Sequence, residues 1–138
     1  LSKWRGLSYK LAPVEQEIDN VVHEQPNSKN NWIEEMEQYL QLNFTKNLTL
    51  HSLSDHFHLS ALYLSREYTR KKKISPLNYQ MQLRIEESKR LIKNNPRLLF
   101  KHIAVLVGFN DPYYFSKLFK QWTGLTLTEY KNKIDLEM

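Results

Sequence analysis

The sequence contains no cysteine. That excludes disulfide scaffolds, thiol nucleophiles and cysteine-ligated zinc fingers, and it fits a reducing compartment, so a cytoplasmic protein is expected. Three glycines and five prolines in 138 residues are too few for a many-turned all-β fold. No apolar run approaches the roughly 20 residues a membrane span needs, and no signal-peptide pattern opens the chain. Gly-rich phosphate loops, HExxH and GxSxG are all missing, so neither an enzyme nor a cofactor is expected. The paired acids Glu34-Glu35 and Glu86-Glu87 read as solvated helix surface. His51, His56 and His58 with Asp55 read as polar surface rather than a metal site. The first residue is Leu1, not Met, which suggests a piece of something longer.

What is present is an ordinary globular composition, 41% hydrophobic and 25% charged. The net charge of +5 is unevenly placed. Residues 1–30 hold four basic and four acidic side chains, whereas residues 31–138 hold sixteen basic and eleven acidic. A basic domain behind a neutral segment favours an anionic partner, nucleic acid first. A surface kept basic for solubility is the competing reading.

A polar stretch, Gln25 to Asn31, marks a boundary. Before it, Pro13 opens a short helical pattern near 13–24 with Val14, Ile18, Val21 and Val22 in one stripe. Residues 1–30 are therefore read as a linker or the remnant of an upstream domain, and 31–138 as one domain. Within that domain the pattern is helical throughout. Trp32, Ile33, Met36, Tyr39, Leu40 and Phe44 line a first helix that should fade near Lys46-Asn47. Thr49 and Ser60 are N-cap types for two short helices. Ser75-Pro76 opens a long helix to about Asn94, and Pro96 blocks its continuation. Phe100 to Val107, ended by Gly108, gives a further short helix. Asp111-Pro112 then starts another, with Tyr114, Phe115, Leu118, Phe119 and Trp122 inward and Gly124 as its stop. Thr126 and Glu129 form a capping box for the last. The expected fold class is all-α with seven helices.

Two segments of this pattern superpose, Leu53–Tyr79 and Ile103–Tyr130. Each is a short helix, a turn of three or four residues, and a longer helix with a basic residue two positions after an inward apolar one. That is the outline of a helix-turn-helix, here twice (about 49–73 and 99–123), joined by a linker helix at about 75–94. A helix fits the major groove, where its exposed side chains meet base edges. A helical protein-interaction module with an incidental basic face is the alternative.

At these residues the chain resembles the DNA-binding domain of the AraC/XylS family of bacterial transcription regulators. The resemblance covers roughly residues 31–135. It is carried by Ile103-Ala104, Gly108-Phe109-Asn110-Asp111, Tyr114 to Lys120, Gly124, Thr126 and Glu129-Tyr130 in the second unit. In the first it is carried by Leu53, Ser60, Leu64-Ser65-Arg66, Tyr68, Ser75-Pro76 and Tyr79, continuing into Leu83-Arg84-Ile85 and Leu91-Ile92. It implies two recognition helices placed in successive major grooves of double-stranded DNA at a promoter, with activation or repression as output. It also implies an upstream sensing or dimerising region; RNA polymerase is a further candidate partner, which the alternative interaction module would contact. The chain departs from the family pattern at Lys73 and His58, where glycine is frequent, at Ser54, and at Leu127, where proline is usual. Lys73 is accordingly expected to take a left-handed conformation at a helix end.

By the same resemblance, Leu62, Ser65 and Arg66 fall where the first unit reads bases, and Tyr113, Ser116 and Lys117 where the second does. Arg66 leads, because its planar fork can meet guanine O6 and N7 together, worth about 1–3 kcal/mol of discrimination. An ion pair with Glu67 or Asp55, or a phosphate contact, is its alternative role. Lys117 is a point charge suited equally to phosphate. Phosphate contacts are expected from Ser60 at its helix start and from Arg70, Lys71, Lys72, Lys89, Lys101 and Lys120.

Overall fold

A computed structural model describes residues 28–137; the helical pattern near 13–24 lies outside the described residues. The described residues form seven α-helices and no strand, so the all-α, seven-helix expectation holds. They are α1 (Ser28–Asn43), α2 (Leu50–Phe57), α3 (Ala61–Lys72), α4 (Pro76–Asn94), α5 (Phe100–Leu106), α6 (Pro112–Thr123) and α7 (Leu127–Glu137). Two differences from the sequence expectation concern α1. It starts at Ser28, inside the polar stretch taken as a boundary, and it stops at Asn43 rather than near Lys46-Asn47. At its end the Asn43 side-chain amide donates to the Tyr39 carbonyl (2.8 Å).

The described residues divide into two compact units, one holding 28–43 and Leu48–Gln80, the other Phe44–Asn47 and 81–137. In the first, Trp32, Ile33, Met36 and Leu40 of α1 are buried, as are Leu53 of α2, Leu64 and Tyr68 of α3, and Tyr79 at the start of α4. The Gln41 amide donates to the Tyr79 hydroxyl (2.8 Å), tying residues 38 apart in sequence. In the second, Ile85, Ile92, Ile103, Ala104, Val107, Phe109, Phe115, Leu118, Phe119, Leu127 and Ile134 make one cluster. Its rings meet edge-on or tilted, Phe109 on Phe115 at 5.2 Å and Phe119 on Tyr130 at 5.5 Å between centroids. Tyr114 and Trp122, read from the sequence as inward, are instead about half and two-fifths exposed.

Capping chemistry sets the helix ends. The Thr49 hydroxyl accepts the Ser52 N–H while the Ser52 hydroxyl accepts the Thr49 N–H, a reciprocal box at the head of α2. Ser60, Ser75 and Asp111 accept backbone N–H groups at the starts of α3, α4 and α6. Thr126 and Glu129 exchange two hydrogen bonds at the start of α7 (2.9 and 3.0 Å).

The two helix-turn-helix units reverse direction at matching places with different residues. In the first, His58 (φ 57°) and Lys73 (φ 66°) are left-handed; in the second, Gly108 (φ 107°) and Gly124 (φ 83°) stand there. A side chain in that region costs on the order of 1 kcal/mol relative to glycine. Lys73→Gly should therefore stabilise the domain by about 1 kcal/mol, raising Tm by roughly 4 °C. The same melt on Lys73→Ala, which removes the side chain's length but not its Cβ, is the control. Equal Tm values for the two would remove backbone strain as the cause.

Candidate DNA interface

The site is built on α3 and α6, the second helix of each unit. Leu64 and Tyr68 anchor α3 in one core, and Phe115 and Phe119 anchor α6 in the other, all fully buried. With those positions inward, a helix of 3.6 residues per turn carries its second and sixth residues on the outer side and its fifth on the flank, the three positions that the family resemblance picks out. Counting from each helix start, these are Leu62, Ser65 and Arg66 on α3, and Tyr113, Ser116 and Lys117 on α6. Leu62 is 74% and Tyr113 85% exposed, large apolar surface that packing within either unit does not use. Arg66, Ser116 and Lys117 are exposed as well, and Ser65 is half-buried. The six predicted base-reading residues thus form two equivalent triads, one on each helix.

Arg66 is held from two directions. Its Nε lies 3.5 Å from Glu67 Oε2, and its guanidinium carbon stands 6.0 Å from the centre of the Tyr63 ring. Tyr63 is itself 6.1 Å from Trp32. The other oxygen of Glu67, Oε1, accepts from Arg70 Nε (3.0 Å) and Nη2 (2.9 Å). Those bonds from Arg70, joined by Arg66, hold the Glu67 carboxyl below the ordinary carboxylate range, so it stays charged. Of the alternatives raised for Arg66, the ion pair to Glu67 is present.

Among the expected phosphate contacts, Ser60 stands at the head of α3 and is exposed, as are Arg70, Lys71, Lys101 and Lys120. Lys89 lies 3.4 Å from Glu86 and is partly exposed. Lys72 departs from expectation. Its ammonium donates to both oxygens of Glu34 (3.0 and 2.9 Å) and to Glu37 (3.3 Å), and its side chain is only 17% exposed. Burial alone would lower its pKa, but the two α1 carboxylates outweigh that and raise it. An ammonium occupied by two carboxylates is not offered to a phosphate. The sequence could not show this, because the partners lie 38 and 35 residues away.

Sequence reading also missed an open concavity of about 580 Å³ beside α6. Lys117 and Lys120 border it together with Ser116, Gln121, Thr126 and Thr128, over a floor that includes Phe100 and Leu127. The hydroxyl and amide groups that join the two lysines there come from α6 and the start of α7, a juxtaposition that only the fold creates. As for the histidines, His51 pairs with Asp55 at 3.3 Å, and the His56 ring lies 4.2 Å from that of Tyr39. No helix among the described residues is long and apolar enough to cross a membrane.

Comparison with known proteins agrees with this geometry. Residues 53–133 match the model of a helix-turn-helix domain. The chain is 34% identical over 77% of its length to the bifunctional transcriptional activator/DNA repair enzyme AdaA of Bacillus subtilis, of which it covers 50%. It is 30% identical over 96% of its length to the uncharacterised HTH-type transcriptional regulator YdiP of Escherichia coli, of which it covers 44%. Hence the chain spans about half the length of these relatives. Among solved structures, the C-terminal domain of AraT, a response regulator from Geobacillus stearothermophilus, aligns with TM-score 0.70 and 29% identity, covering 73% of this chain and 84% of that one. The match to the helix-turn-helix model takes in more than half of the sequence, and the chain belongs to the AraC-type helix-turn-helix family of DNA-binding transcription regulators.

Proposed function

We propose that the domain binds double-stranded DNA sequence-specifically at a promoter, with α3 and α6 as recognition helices entering successive major grooves. The observation that carries this is the pair of equivalent triads, exposed but for the half-buried Ser65, each backed by a fully buried pair on the same helix. Leu62, Ser65 and Arg66 read bases in the first groove, with Leu62 packing on thymine methyls and Arg66 on a guanine. Tyr113, Ser116 and Lys117 do so in the second. Ser60, Arg70, Lys71, Lys89, Lys101 and Lys120 contact phosphates and fix the register. The role is binding rather than catalysis, carried out in the bacterial cytoplasm. RNA polymerase, and a second copy joined through residues upstream, are the further partners of the whole regulator.

The test begins by selecting a preferred duplex from a randomised pool with the 138-residue chain. Arg66→Ala should weaken binding to that duplex by about 1–3 kcal/mol while changing affinity for random duplex far less. Equal losses on both would reduce Arg66 to a phosphate contact. Affinity of the unaltered chain should also fall steeply with salt, since several phosphates are neutralised. A salt-independent affinity would favour a protein-interaction module instead.

A further inference from the structure

We propose that Glu67 is a positioning residue for base reading: its carboxylate holds Arg66 by Nε and leaves the terminal fork free for guanine. This rests on the assignment of Arg66 as a base reader.

The geometry divides the labour of one carboxylate. Oε1 takes both hydrogen bonds from Arg70, and Oε2 faces Arg66 Nε at 3.5 Å. A guanidinium held at Nε still has both terminal nitrogens available, and those are the atoms that meet guanine O6 and N7. The Tyr63 ring, its centre 6.0 Å from the guanidinium carbon, restrains the same group further. A long exposed arginine ordinarily gives up considerable rotamer freedom when it binds. Restraining it beforehand lowers that cost for the one geometry in which it reads a base. A carboxylate near the DNA backbone also repels phosphates, which weakens binding wherever no guanine is offered.

The matching position in the second unit sharpens the point. Leu118 stands there, buried against the core. Hence the fold accepts an apolar side chain at this position, and α3 carries a carboxylate instead. Among the described residues Lys117, the counterpart of Arg66, has no carboxylate partner within salt-bridge distance. The structure therefore assigns sharper guanine discrimination to α3 than to α6.

The experiment compares Glu67→Gln and Glu67→Leu with the unaltered chain on three duplexes: the preferred site, the same site with 7-deazaguanine at the Arg66 contact, and a random sequence. Removing N7 should cost the unaltered chain about tenfold in affinity. In Glu67→Leu the penalty should shrink below about threefold, affinity for the preferred site should fall about tenfold, and affinity for random duplex should hold or rise. Glu67→Gln, which keeps one acceptor, should lie between. Arg70→Gln removes the competing partner; it should weaken all three duplexes alike and leave the N7 penalty intact. A full N7 penalty in Glu67→Leu would overturn the proposal and reduce Glu67 to a helix-surface partner of Arg70. Arg66→Ala separates the two levels: if it is unselective, the base-reading role itself fails; if it is selective while Glu67→Leu keeps the penalty, only the positioning role fails.

Discussion

Gly108→Ala is expected to cost at least about 3 kcal/mol and to lower Tm by roughly 10 °C or more. Two effects add. The residue sits at φ 107°, where any Cβ is strained. A Cβ built there would also lie 2.5 Å from the Thr45 carbonyl oxygen and 2.9 Å from the Arg84 guanidinium carbon. The first neighbour is backbone, and the second is a buried side chain pinned by its own hydrogen bonds, so neither yields cheaply. Gly124→Ala is the internal control. It shares a positive φ, 83°, but its Cβ would meet nothing within 4 Å, so only about 1 kcal/mol of strain is expected. Urea denaturation of both variants measures the difference. Equal costs would show that the Thr45 carbonyl does not press on Gly108 in solution.

Arg84→Ala should cost about 3 kcal/mol, through the same locus. The Arg84 side chain donates from Nε to the Phe44 carbonyl (2.7 Å) and from Nη2 to the Lys46 carbonyl (2.8 Å), and lies 4.9 Å from the centre of the Phe109 ring. It is 8% exposed, and burial pushes its pKa down. Two charge-assisted hydrogen bonds contribute about 1.5 kcal/mol each at the low end, and packing of the stem and ring adds to them. The cost of desolvating a cation that faces carbonyl dipoles rather than a carboxylate offsets part of this. The interactions win because removing the guanidinium takes a charged donor from each carbonyl and its cover from the Phe109 ring. Arg84→Lys should recover less than half of the loss, since one ammonium cannot span both carbonyls from over the ring. In a double variant with Gly108→Ala the costs should fall short of their sum, because one of the two steric conflicts disappears. A loss under about 1 kcal/mol for Arg84→Ala would mean that water serves those carbonyls equally well.

How far the sequence disclosed this molecule depends on the range of the interaction. Caps, helix stops and the inward faces of α3 and α6 are local. Residue type and spacing announce them, and the left-handed Lys73 follows from the family pattern, in which glycine is frequent there. Periodicity also gave the outer sides of α3 and α6, since Leu64, Tyr68, Phe115 and Phe119 are fixed inward, and the family resemblance picked the two triads from the residues left. Periodicity failed at Tyr114 and Trp122, because spacing sets the direction of a side chain but not whether a neighbouring helix reaches far enough to cover it. Lys72 failed for another reason. In the run Arg70 to Lys73 nothing distinguishes one cation from the next until α1 brings Glu34 and Glu37 against one of them. Arg84 stands between Leu83 and Ile85 in the sequence, and the carbonyl groups that it serves lie 40 and 38 residues away.

Phe44–Asn47 belongs with the second unit, yet the chain runs through α2, α3 and the first turn of α4 before that unit resumes at Met81. The second compact unit, which holds the second helix-turn-helix, is thus not contiguous in the chain. A chimaera that transplants residues 81–137 to another scaffold would carry Gly108 and Arg84 but leave behind the carbonyls they accommodate. On the ribosome, those four residues emerge long before the arginine that holds them. A working graft of the second reading head would have to bring them along, or supply a substitute loop in their place.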